Sequence, residues 1–163
     1  MKNNLVFQLV NMKHIKLLTL VFALFSTFLM DAQEINKYTK KADPLYEAAN
    51  YFAAINEYKG AYSKTKDKAQ KAEITYRMAV CYYETKQMKR AIRYFQKCVS
   101  YKYADENPIV HWYLGEANKS LGNYEEALIH FNAYKEAVPS DKRGANGAKS
   151  CELAIKWKSE PQR

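Results

Sequence analysis

Glycine and proline are scarce, at five and four in 163 residues. Turn-rich β folds and low-complexity disordered chains use more of both, and 48% of the residues are apolar. Those two classes are therefore excluded, and one helical domain fits the length. Cysteine is short as well. Cys81, Cys98 and Cys151 are an odd set with no close spacing, which makes neither a disulfide framework nor a zinc site. They read as buried thiols, with a Cys81–Cys98 disulfide as the lesser alternative. Beyond the N-terminal segment only His111 and His130 remain, too far apart in sequence for the usual helical ligand spacing, so no metal is expected. No glycine-rich phosphate loop, nucleophile elbow or Cys/His pair is present. The adjacent Glu125 and Glu126 suit the positive end of a helix without any acid–base role. No catalytic residue and no cofactor follow from these absences, and the chain is read as a non-enzyme.

No long hydrophobic run occurs either. Leu17 to Met30 is uncharged for fourteen residues, whereas a membrane-spanning helix needs about twenty. Lys13 and Lys16 precede the run, and Ala32 stands before Gln33. That order matches a cleavable secretory signal over residues 1–32. Met12 is an alternative start to Met1, and no cysteine follows the cleavage point to make a lipoprotein. The expected location is therefore outside the cytoplasm. The expected mature chain has no integral membrane span.

Charge and aromatic content are what the chain has in plenty. The net charge is +9, and residues 1–32 carry three cations and one anion, so the remainder stays basic. Lys and Arg are spread along the whole chain, which favours a solvated surface over a nucleic-acid site, and export disfavours nucleic acid further. Fourteen tyrosines accompany seven Phe and two Trp. Tyrosine suits helix faces and grooves with one dry side and one wet side.

Internal repetition organises the rest. Residues 72–103 superimpose on 108–139 with an offset of 36. In this register Met78-Ala79 matches Leu114-Gly115, Met88 matches Tyr124, Ala91 matches Ala127, and Phe95 matches Phe131. Each segment reads as two helices, broken at Lys86-Gln87 and at Leu121-Gly122-Asn123, where a left-handed residue can end a helix. Small residues at Ala79, Gly115, Ala91 and Ala127 let the paired helices approach closely. Pro139 ends the second helix, and Asp141 offers a cap to the next. The two extra residues of the offset fit a polar stretch at Ala104–Asn107. A weaker copy lies upstream: Asn50-Tyr51, Ala54, Tyr58 and Ala61 match Asn123-Tyr124, Ala127, Phe131 and Tyr134. There Asp43 is expected to cap a shortened first helix with Pro44 at its first position.

Leu114, Gly115, Gly122, Tyr124, Ala127, Phe131 and Pro139 resemble the signature of the tetratricopeptide repeat (TPR). The resemblance implies an all-α helix–turn–helix solenoid over 33–158. It would have about three repeats (36–68, 72–107, 108–141), a C-terminal capping helix near 145–158, and a tail at 159–163. In such solenoids the first helix of each repeat lines the concave face. Carried over by register, a partner-binding groove would use Tyr76, Val80, Tyr83, Trp112, Glu116 and Lys119, and the resemblance implies a protein partner, either a peptide or a folded envelope protein. A second resemblance covers the whole chain. A signal ending in Ala-Gln, then A-D-P-L-Y-E-A-A-N-Y-F-A-A-I-N-E-Y, then repeats closing on C-E-L-A-I-K-W, looks like the N-terminal TPR region of certain envelope proteins. Those continue into a β-propeller and an OmpA-like peptidoglycan-binding domain and are associated with type IX secretion and gliding. The implied role is a non-catalytic scaffold of that machinery. Peptidoglycan would be a ligand only through a further C-terminal domain, of which 159–163 would be the stump. The alternatives are an accessory of outer-membrane assembly and a module for anionic surfaces.

Overall fold

A computed structural model describes residues 37–160, and no strand occurs among them. The elements are α1 (Ala42–Glu47), α2 (Tyr51–Lys64), α3 (Lys68–Glu84), α4 (Met88–Ser100), α5 (Tyr103–Glu106), α6 (Ile109–Ser120), α7 (Tyr124–Ala137) and α8 (Lys142–Ser159). The expected signal over 1–32 and the end of the 159–163 tail lie outside the described residues. No helix among the described residues is long and apolar enough to cross a membrane.

Connections are a few residues long, so each helix packs back against the one before it: α1 on α2, α2 on α3, α3 on α4, α6 on α7, α7 on α8. The first helices of successive repeats also touch, α3 on α6 and α6 on α8. The fold is thus an all-α TPR-type solenoid, with α3, α6 and α8 along one face and α2, α4 and α7 along the other.

Three turns with the same hydrogen bonds create the repetition. Ala49, Lys86 and Gly122 have φ of 56°, 59° and 76°. Each donates its N–H to the carbonyl three residues back: Tyr46, Tyr83 and Lys119. The next residue donates five back, Asn50 to Leu45 at 2.8 Å, Gln87 to Tyr82 at 2.8 Å, and Asn123 to Asn118 at 3.0 Å. These are Schellman closures, which satisfy the orphan carbonyls of a helix end and reverse the chain. The carbonyls of Asn50, Gln87 and Asn123 then accept from Ala54, Ala91 and Ala127, starting the return helix. All three alanines are fully buried, and so are Tyr58, Phe95 and Phe131, one turn further along. Ala91 and Ala127 therefore occupy like surroundings.

The glycines and aromatics set the helix spacing. A Cβ on Gly115 would lie 2.7 Å from Phe131 Cε1, and one on Gly147 would lie 2.5 Å from Phe131 Cδ1 and Cε1. One edge of the Phe131 ring is therefore inserted between α6 and α8. Leu114 and Phe95 are fully enclosed, Tyr124 is packed half-buried beside Ala127, and Pro139 lies just beyond the end of α7.

Several local expectations need correction. The stretch Ala104–Asn107 is largely helical: Tyr103–Glu106 forms a turn after left-handed Lys102, and Ala104 within it is buried in the core. Burial of one methyl and the phenol of Tyr103 outweighs the polarity of the other residues. Asp43 does not cap α1, because Lys41 holds that position. Its carboxylate instead accepts from Thr39 at 2.5 Å and from the buried Tyr58 hydroxyl at 2.7 Å. The last helix begins at Lys142 rather than near 145, since the Asp141 carboxylate accepts the Arg143 N–H at 2.9 Å and nucleates an earlier turn. Cys81, Cys98 and Cys151 are free and buried, and burial pushes the thiols of Cys81 and Cys98 up to about 12.

Candidate functional site

The residues carried to the concave face divide into two groups. Val80 is buried at 4% exposure within the main core cluster and offers no surface, a correction to its groove assignment. Tyr76 is likewise engaged in packing. Its ring lies 5.4 Å from Tyr103, 6.2 Å from Phe95 and 6.4 Å from Tyr113. Burial raises its phenol well above the ordinary tyrosine range. Tyr83 meets Tyr113 edge-on at 5.1 Å, and Tyr113 in turn stacks on Phe95 at 5.0 Å and 9°. Between the second and third repeats the would-be groove is thus filled by a tyrosine layer centred on Tyr113. Sequence reasoning passed over Tyr113, because it falls outside the repeat positions carried over to the concave face; its register partner is Arg77. Both positions point toward the preceding first helix: Arg77 lies over the Tyr46 ring at 5.4 Å.

The second group, Trp112, Glu116 and Lys119, stands at successive turns of α6. Together with Arg143, Asn146 and Gly147 of α8, these residues line an open hollow of about 270 Å³. Its charges are held in place. Lys119 pairs with Glu116 at 2.6 Å. The Arg143 guanidinium lies 4.9 Å over the Trp112 ring and donates to Asp141 from Nε at 2.8 Å and from Nη2 at 2.6 Å. The hydroxyl of Tyr134 donates to the same carboxylate at 2.6 Å. Hydrogen bonds from Arg143 and Tyr134 hold Asp141 below the usual carboxylate range. The result is a rigid indole platform with an amide, a carboxylate and two cations at its rim. Such a floor can seat one side chain of an extended segment while Asn146 bonds its backbone. Arg143 escapes a sequence reading in which the last helix starts near 145, and Asn146 escapes one in which that helix is only a lid. The capping signal at Asp141 is the feature that points to them.

His111 and His130 are brought together, although their sequence separation gave no hint of it. Their Nδ1 atoms are 3.2 Å apart and the ring centroids 5.5 Å. The gap and the two ring radii fill that centroid distance, so the nitrogens face each other nearly head-on. The buried Nε2 of His130 lies 3.5 Å from Glu126. A proton on that Nε2 favours the carboxylate, which leaves Nδ1 of His130 as the acceptor and His111 as the donor. Burial lowers both imidazoles, and His111 lowers His130 further. No group of three metal-ligating side chains occurs among the described residues.

Comparison with known proteins identifies the architecture. Residues 73–105 and 100–142 each match a family model of the tetratricopeptide repeat. Among solved structures, the chain is similar to the C-terminal TPR-containing domain of a Plasmodium falciparum FK506-binding protein. The match is 21% identical with a TM-score of 0.63, covering 77% of this chain and 91% of that one. At that identity the likeness speaks for the fold. No curated protein matches the chain.

Proposed function

Taking residues 73–142 as tetratricopeptide repeats, a fold that generally serves protein–protein interaction, we propose that this chain is a non-catalytic scaffold. It engages an extended segment of a protein partner in the hollow between α6 and α8. The observation that carries this reading is the preorganised floor: Trp112 is fixed from above by Arg143, and Arg143 is itself fixed by Asp141 and Tyr134. A rigid aromatic anchor with partnered charges around it keeps the ordering cost of binding low. Tyr76, Val80 and Tyr83 have a packing role and contribute to the solenoid's shape.

The setting we propose is the bacterial cell envelope, on the periplasmic side, within a type IX secretion or gliding-type assembly. Its support is the signal-like pattern over 1–32 and the resemblance in sequence at both ends of the repeat region. The test is affinity capture from envelope fractions with the wild-type chain and with Trp112→Ala. Recovery of secretion or gliding components that drops at least tenfold in the variant is the expected result. Capture of such components undiminished by Trp112→Ala would move the binding site elsewhere, and capture of none would remove the assignment to that machinery.

A further inference from the structure

The tyrosines and cations where α2 meets α4 form a surface separate from the α6–α8 hollow. The phenols of Tyr62 on α2 and Tyr101 after α4 are 2.7 Å apart, and Lys97 donates to the Tyr62 hydroxyl at 2.7 Å. These side-chain bonds link the C-terminal ends of the two helices. One turn or more back, Arg93 lies 5.9 Å over the Tyr94 ring, and Arg90 lies 5.7 Å over Tyr82. Burial raises the Tyr94 phenol, with Tyr82 adding to the rise, while Lys59 of α2 and Arg93 pull against it. Arg90, Arg93 and Lys97 follow one another at helical spacing along one stripe of α4, which carries no acidic residue. On α2, Lys59 shares its face with Phe52, seven residues earlier and 67% exposed.

Arg77, Lys119, Arg143 and Lys156 each have a carboxylate within 4 Å, and most other described cations do not. What distinguishes α4 is that it carries no acidic residue, whereas each of the other helices named above carries at least one. Among the described residues no such ion pair involves Lys59, Arg90, Arg93 or Lys97. Unneutralised cations on one outer face, mixed with tyrosines and one protruding phenylalanine, match an interface with anionic headgroups above an apolar layer. Single-stranded nucleic acid fits less well. Base stacking needs open ring faces, whereas Lys97 and Lys71 sit 4.4 and 5.3 Å over Tyr62, and Arg93 covers Tyr94.

We propose that the α2–α4 seam docks this solenoid onto an anionic phospholipid bilayer, with Lys59, Arg90 and Arg93 facing the headgroups and Phe52 entering the interface. Binding there leaves the α6–α8 hollow on different helices and available to a partner. The test is co-sedimentation of the full chain with phosphatidylcholine vesicles, with or without a third of phosphatidylglycerol. The triple variant K59Q/R90Q/R93Q is compared with K142Q/K149Q/K158Q, which removes the same charge from α8. The N-terminal apolar run is common to both and cancels. Each cation near such a surface contributes roughly a fivefold gain in partitioning. The seam variant should therefore lose about a hundredfold on phosphatidylglycerol vesicles, and the α8 variant much less. Circular dichroism of both variants checks that the fold is kept. Equal losses in the two variants would reduce the effect to net charge and overturn the proposal. So would partitioning indifferent to phosphatidylglycerol, or a seam-dependent preference for a single-stranded oligonucleotide over vesicles.

Discussion

Replacing Gly147 by alanine sets two effects of known sign against each other. Inside an exposed helix, Gly→Ala stabilises by about 1 kcal/mol, because glycine is the more costly residue to order. At Gly147 the new methyl would lie 2.5 Å from the Phe131 ring, which is fully buried with the same edge already against Gly115. Neither the ring nor the methyl can move away without separating α6 or α8 from α7. Overpacking of this kind costs roughly 1–3 kcal/mol, so the steric effect wins and a net loss of about 1–2 kcal/mol is expected. Gly60 on α2 is the control, since nothing lies within 4 Å of the place a Cβ would take there; Gly60→Ala should gain up to about 1 kcal/mol. Phe131→Leu shortens the edge that meets residue 147, so Gly147→Ala should cost less in that background, by about 1 kcal/mol. Urea and thermal melts followed by far-ultraviolet circular dichroism read these variants against the wild type, at about 4 °C per kcal/mol for a domain of this size. A stabilising Gly147→Ala, or strict additivity with Phe131→Leu, would refute the inserted-edge account of α6–α8 spacing.

Other outcomes follow from the same packing. Lys86→Gly and Ala49→Gly should each stabilise by about 1 kcal/mol in the same melts, since both residues hold a left-handed conformation that Gly122 adopts without penalty. Tyr58→Phe should cost about 2 kcal/mol: the residue is fully buried, and its hydroxyl donates to the Asp43 carboxylate. Phenylalanine already fills the matching places at 95 and 131, so its shape is tolerated. The histidine pair makes stability depend on pH. Folded His111 and His130 take up protons at lower pH than the unfolded chain, whose imidazoles titrate near 6.5. The native state binds fewer protons in that window, so stability is intact above about pH 6.5 and falls as the pH drops from there through the folded values. His130→Gln should flatten the melting-temperature difference between pH 7.5 and 5.5; an undiminished slope would put its origin elsewhere.

The repeat frame was legible because it rests on local rules. Small residues at Ala54, Ala91 and Ala127, aromatic residues one turn later, and breaks near Lys86 and Gly122 recur at an interval of 36 or 37 residues. Helical periodicity turns that interval directly into a packing face. The turn at Lys86 was less legible. A left-handed glycine announces itself, while a left-handed lysine is imposed by the two hydrogen bonds around it. Asp43 misled for a related reason. A carboxylate before a proline has the local look of a cap, but the distant Tyr58 hydroxyl outcompetes the backbone for it.

By itself, then, the sequence determined the class of fold, its repeat unit and the tendency of α6 to present Trp112, Glu116 and Lys119 on one side. Those follow from residue spacing within single helices and from side-chain size. Only the tertiary structure decided that Tyr113 closes the groove between the second and third repeats, that Arg143 completes the one beyond it, and that His111 meets His130. It also decided that the cations of α2 and α4 share an unneutralised seam. The physical reason is that these contacts join residues on different helices, and their geometry depends on the angle and distance between helix axes. Those are fixed by the fit of buried groups such as the Phe131 edge against Gly115 and Gly147, a fit between elements that no single helix encodes.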